Sequence, residues 1–277
     1  AVAVAVATAP EVLVRPSRRD PVVAELLVRA LQADEGFARA GGSIALIADL
    51  EREDGGDVAA GEEPRAELHV YGSDETVATL RARASRGVLV RGHGAGLGLA
   101  VVGPGASLAD AARDIAGDVV PFDQRGCLSP RFVLVDGPAE RAEALARALH
   151  EALGRAGARV PRGPLDGAAR AEIAMYRATL EAVGSFLEGE GHGVGLDPAP
   201  RSLLLPPAAR VVHVAASSAD AAPALLAPIR GAITAIGAGG GGQLARAAST
   251  MAPRARVSAL GCMQRPPLDG PVDLRTL

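Results

Sequence analysis

The sequence contains no lysine, no asparagine and no tryptophan. Without lysine no side chain can form a Schiff base, which excludes pyridoxal enzymes and one class of aldolase. Aromatic residues make up 2% and the formal net charge is -3, so the chain offers neither a basic field for phosphate backbones nor platforms for stacked bases. Nucleic acid is not an expected partner. Two cysteines, Cys127 and Cys262, are too few for a disulfide framework or a thiolate metal cage. The histidines His69, His93, His150, His192 and His213 stand without ligand spacing such as HExxH, so no metal is expected. No apolar run reaches the roughly 18 residues of a membrane span, and the first residues lack the charged lead and cleavage site of a signal peptide. Cytoplasm is the expected compartment.

What is present suffices for a sizeable core: 48% apolar content over 277 residues, in one large or two medium domains. The chain opens on AVAVAVA, an alternation that runs into a strand-like segment and reads as the start of a piece cut from a longer protein, or of a processed or short one. Strands are expected at 11–15, 43–48, 66–71 and 87–91, with a helix at 21–32 whose N-cap is Asp20 and whose first residue is Pro21. The acidic, glycine-rich stretch 51–63 reads as an exposed loop. After Cys127 come a strand at 131–136, helices at 138–155 and 168–183, strands at 202–205 and 210–215, a helix at 219–229, a strand at 232–236 and a short helix at 243–249. Strands alternating with helices argue for a parallel sheet in an α/β fold.

Three features carry chemistry. Cys127, in PFDQRGCLSP, lies in a polar, glycine-containing turn between apolar segments, where a nucleophile would be held; the competing reading is a small buried hydrophobe. Gly72 and Ser73, in GSDET, open a helix at the carboxyl end of a strand, a place where backbone amides attract anions and also where plain helix caps occur. The run GHGAGLG leads into a strand and never gives GxGxxG, so it is not a dinucleotide fingerprint; close backbone approach between lobes accounts for it better. GAGGGG at 237–242 reads as a phosphate cradle or as a hinge or flexible loop.

Taken in order, VLVRPSRRDP, VYGSDET, GHG and FDQRGCLSP resemble the aldehyde dehydrogenase superfamily. CLSP after an aspartate, and the C-terminal LGCMQRPPLDGPVDL, look like the fatty acyl-CoA reductases first met in bacterial luminescence operons. The resemblance covers nearly all of this chain but only the middle and C-terminal parts of the family's longer sequence. It implies that Cys127 is the nucleophile, with Cys262 structural. It places the adenosine-ribose turn on Arg15, Pro16 and Ser17, with arginine where the family has lysine, and the pyrophosphate helix at Gly72 and Ser73. Arg18 stands where enzymes selective for NAD often carry a glutamate; a guanidinium can pair with a 2'-phosphate, which favours NADPH, and a solvated surface arginine is the other reading.

Two departures from the superfamily matter. The glutamate that activates hydrolytic water in acid-forming members falls at about Gly92, with His93 beside it, and the oxyanion-hole asparagine matches no residue here. His93 is thus a candidate to take the thiol proton and return it to a departing CoA thiolate, or else a histidine making ordinary hydrogen bonds. The amide of Cys127 would supply only part of the oxyanion hole.

The resemblance implies an α/β protein of the aldehyde dehydrogenase type with two Rossmann-like lobes, the first incomplete. Residues 1–97 form the incomplete dinucleotide-binding lobe, 98–250 the catalytic lobe and 251–277 a C-terminal segment, with the active site expected between lobes. The implied activity is reduction of a long-chain acyl thioester, on CoA or a carrier, to an aldehyde through an acyl-cysteine and hydride from NADPH. Members usually assemble through their C-terminal strands, so a homo-oligomer is open. The alternatives are another oxidoreductase of the superfamily, oxidising aldehydes or reducing acyl phosphates, and a non-catalytic interaction module.

Overall fold

Residues 2–17, 21–48, 66–267 and 273–276 are described by the computed structural model, and they fall into two units, Ala1–Gly92 and His93–Leu277. The expected N-cap Asp20, the loop 51–63 and Arg18 lie outside the described residues.

In the first unit the opening alternation is a helix, α1 (Val2–Thr8), ahead of the expected strand. Alanine and valine are both apolar, so the same letters also satisfy helical spacing. Val2, Ala5, Val6 and Ala9 use that spacing to pack on the cluster of Val12, Val28 and Ile44. β1 (Glu11–Val14) pairs in parallel with β2 (Ser43–Leu46), setting Val12 opposite Ile44. Between them run α2 (Val22–Gln32), which turns Val28 into the cluster, and the short α3 (Glu35–Arg39), capped by Asp34. β3 (Ala66–Tyr71) does not extend this pair; it joins β4 (Val88–His93) in a second two-stranded sheet, with α4 (Asp74–Arg83) between.

The second unit is built on seven strands. In chain order they are β5 (Leu97–Val102), β6 (Pro130–Asp136), β7 (Ser185–Gly189), β8 (His192–Asp197), β9 (Val211–Ser217), β10 (Ile233–Gly239) and β11 (Arg256–Ala259). Their spatial order is β11-β10-β5-β6-β9-β8-β7, parallel throughout except for the antiparallel β7–β8 pair. Both faces are covered, so the inner strands are apolar at nearly every position. Ala100, Val102, Val133 and Val135 face α5 (Leu108–Val119) and α6 (Ala139–Arg159). The alternate residues Leu99, Val101, Phe132 and Leu134 face α8 (Ala222–Leu226) and α9 (Gln243–Met251). α7 (Gly167–Leu180) packs Tyr176 and Leu180 near the β7–β8 edge.

The hairpin β7–β8 was not expected, since four of its residues are glycines, Gly189, Gly191, Gly193 and Gly195. The packing requires them: a side chain on Gly193 would start 2.3 Å from the Phe186 ring, and one on Gly195 2.2 Å from the Tyr176 hydroxyl. Conversely, the expected strand at 202–205 is irregular; Leu203 and Leu204 are each anchored by packing, against different clusters, without joining the sheet.

Candidate active site

Cys127 sits just before β6, at the amino end of the sheet, at the end of a tightly wound turn. Phe122, Asp123 and Gln124 are consecutive non-glycine residues with left-handed backbone, φ 55, 51 and 64. Such conformations cost about 1–3 kcal/mol each and persist only where the surroundings hold them. Here the buried Gln124 amide does so: its nitrogen donates to the carbonyls of Pro130 and Val211, both at 2.8 Å, and its oxygen accepts from the Val211 amide at 2.9 Å. Asp123 adds an ion pair at 2.6 Å to the buried Arg210.

The half-buried Cys127 packs against Leu128, Ala235 and Met263. The hydroxyl of the buried Thr234 lies against the carbonyls of Cys127 and Leu97. Burial pushes the thiol up from its usual range and the Asp273 charge pushes the same way, while Arg275 opposes them. The resting group is a thiol, so reaction requires that something take its proton. Cys262, expected as the structural cysteine, is exposed and borders a cleft of about 260 Å³ that Leu128 and Met263 also line.

His93 is the last residue of β4 and is buried. Its Nδ1 stands 3.7 Å from Asp273 Oδ2. Asp273, also buried, accepts from the Nε, Nη2 and backbone amide of Arg275 at 2.9, 2.8 and 3.0 Å. Burial alone would raise this carboxyl, but these bonds and His93 hold it below the usual carboxylate range. Arg275 also donates to the carbonyls of Gly94, Ala95 and Gly231. A side chain on Gly96 would start 3.0 Å from Cys127 Cβ and 3.1 Å from Arg275 Nη2. The structure therefore gathers His93 and Cys127 around one Asp273–Arg275 pair. Sequence reasoning named the first two as candidates. It missed Asp273, Arg275, Thr234 and Gln124, whose only local signal is a DLR triplet near the C-terminus and a glutamine before the cysteine.

The expected nucleotide residues lie in the first unit. Arg15 donates from Nε to the Ala48 carbonyl at 3.2 Å, and Ser17 follows it on the same segment after β1. Gly72 and Ser73 follow β3, where Ser73 Oγ caps α4 by accepting from the Thr76 amide at 3.2 Å. Gly72 has ordinary clearance, 3.4 Å to Thr76, so it is not required by crowding. A guanidinium, a hydroxyl and a helix N-terminus are chemically suited to the nucleotide end of a nicotinamide cofactor, whereas Asp74 and Glu75 in the first turn of α4 oppose a phosphate lying on that axis.

The other glycine runs act by close approach inside each unit. A side chain on Gly92 would start 2.2 Å from Val77, and one on Gly98 2.5 Å from the Leu128 carbonyl. Gly240, Gly241 and Gly242 have φ of 78, 66 and 102, and a side chain on Gly242 would start 3.1 Å from the Asp136 carboxylate. That carboxylate disfavours a phosphate, and the cluster serves backbone packing against Gly103 and Ala106. Among the described residues no three His, Cys, Asp or Glu side chains gather as metal ligands, and no helix is long and apolar enough to cross a membrane.

Solved structures with this fold are aldehyde dehydrogenases and their relatives. A bifunctional proline utilization A protein matches with a TM-score of 0.63 and 13% identity, over 90% of this chain and 27% of its own. The NAD-dependent aldehyde dehydrogenase of Burkholderia multivorans matches with a TM-score of 0.58 and 15% identity, over 95% and 52%. The Δ-pyrroline-5-carboxylate dehydrogenase of Mycobacterium tuberculosis gives 0.56 and 13%, over 88% and 49%. The chain thus spans about half or less of the length of these structures. None of the curated proteins matches significantly. A family model described as acyl-CoA reductase (LuxC) matches residues 1–277, and with the aldehyde dehydrogenase fold beneath it the chain belongs to the acyl-CoA reductase (LuxC) family.

Proposed function

We propose that Cys127 accepts an acyl group from a long-chain acyl-CoA or carrier thioester and that the acyl-cysteine is reduced to an aldehyde. The observation that carries this reading is the placement of the half-buried Cys127 and a buried histidine, His93, around one partly buried ion pair, Asp273–Arg275. Gly92 falls where acid-forming members carry the water-activating glutamate, so that base for hydrolysis of the intermediate is missing from its place in the sequence.

His93 takes the Cys127 proton as the sulfur attacks the thioester carbon; the carbon–sulfur bond to CoA breaks, and the proton passes to the leaving thiolate. NADPH, when bound, supplies the hydride that turns the acyl-cysteine into a thiohemiacetal, whose collapse frees the aldehyde and the Cys127 thiolate. Thioester, NADPH and one proton thus become aldehyde, free thiol and NADP. The Cys127 amide contributes to holding the oxyanion. Arg15, Ser17, Gly72 and Ser73 would hold the nucleotide, with Arg18 pairing the 2'-phosphate. The roles divide as a cofactor lobe to about residue 97, a catalytic lobe from 98 to 250 and a C-terminal segment from 251.

Mass spectrometry after mixing with palmitoyl-CoA is expected to show a palmitoyl adduct that vanishes in Cys127→Ala. Aldehyde formation from palmitoyl-CoA with NADPH, and no acid formation from aldehyde with NAD, separates this activity from aldehyde oxidation. Absence of any adduct would favour a non-catalytic module.

A further inference from the structure

His93 faces, at one nitrogen, a group that is itself over-determined. Each Asp273 carboxylate oxygen receives at least one hydrogen bond from Arg275, and His93 Nδ1 approaches Oδ2 at 3.7 Å. Arg275 then spreads to the carbonyls of Gly94 and Ala95, the residues after His93, and to Gly231 before the strand that carries Thr234. The guanidinium ties the carboxylate, the histidine loop and the cysteine's neighbour into one assembly.

We infer that Asp273 is a positioning residue for His93, and that Arg275 fixes Asp273 in turn. The inference rests on the reading of His93 as the proton carrier at Cys127. An ionised carboxylate facing Nδ1 selects the tautomer with the proton on that nitrogen, which leaves Nε2 to exchange a proton with sulfur. It also balances the imidazolium formed during transfer. At 3.7 Å the contact is longer than a hydrogen bond, and contacts of this type tighten when substrate is bound. The depressed carboxyl of Asp273 agrees with an anion at neutral pH.

The test uses the 277-residue chain and palmitoyl-CoA without nicotinamide, following acyl-adduct formation at Cys127 by intact mass. Asp273→Asn is expected to lower the saturating rate by about 10- to 100-fold, a part of what a positioned acid–base group contributes, with half-saturation unchanged; Asp273→Glu recovers most of the rate. In a His93→Gln background Asp273→Asn costs nothing further, because a residue acting through His93 has nothing left to position. Alkylation of Cys127 by iodoacetamide at about pH 10 does not fall below the wild-type rate, because loss of the Asp273 charge lowers the thiol, and this reports an intact fold. Additive losses in the double variant, or an equal loss of alkylation, would assign Asp273 to general stability and overturn the inference. So would a wild-type rate in Asp273→Asn when His93→Gln is slow, and that result would leave the role of His93 standing. A wild-type rate in His93→Gln removes both, and an absent adduct in the unaltered chain removes the proposed function itself.

Discussion

At the scale of single residues, the buried histidines decide how the protein meets acid. Burial pushes His213 down to about 4, and the Tyr176 hydroxyl lies 2.8 Å from its Nδ1. A histidine in an unfolded chain titrates near 6.5, so between about pH 6.5 and 4 the unfolded chain binds a proton that the native fold refuses. This contribution to stability is complete above about pH 6.5 and is lost as the pH falls toward 4, with a slope approaching about 1.4 kcal/mol per pH unit. His192, lowered by burial and then by His150 beside it, acts in the same direction. Denaturant unfolding followed from about pH 7 to 4.5 should show this acid limb, and His213→Gln should flatten it. An unchanged slope in that variant would remove His213 as the cause. Cys127 shows the opposite sensitivity, because its raised thiol needs an assisting base at neutral pH and gains reactivity as the solution becomes alkaline.

At the scale of elements, the turn before β6 depends on one amide. Gln124→Ala leaves the Val211 amide and the carbonyls of Pro130 and Val211 unpaired in a buried place. The expected cost is about 4 kcal/mol, read as a shift of the urea midpoint, and alkylation of Cys127 should change with it. A loss under about 1 kcal/mol would show that water replaces the amide. The apolar strands β1, β5, β6, β9 and β10 were legible because burial on both faces, or on one regular face, writes itself as runs of valine, leucine and isoleucine. α1 could not be assigned from sequence because alanine and valine fit two periods at once. The helix α5 carries two signals that went unread, the Ser107 cap and apolar residues at 111, 112, 115, 116 and 119. The site was half legible: Cys127 and His93 carry reactive groups in suggestive loops, whereas Asp273, Arg275 and Thr234 acquire meaning only when strands far apart in the chain are laid side by side.

For the whole molecule, the apolar interior is unequally shared. The second unit has two large clusters on opposite faces of a seven-stranded sheet, while the cluster around β1 and β2 in the first centres on Val12, Val28 and Ile44. Small cores leave little margin over chain entropy. Residues 93–277 produced alone are expected to melt cooperatively by circular dichroism and to keep Cys127 alkylable, whereas residues 1–92 alone should lack a cooperative transition. A fragment 93–277 without a melting transition would contradict this division. The bridge made by Gln124 has one more consequence. Because its amide stands in for a length of strand between Pro130 and Val211, the loop bearing the sulfur cannot loosen while the sheet beneath it survives. Heat-induced loss of acyl transfer to Cys127 should therefore coincide with melting of the second unit.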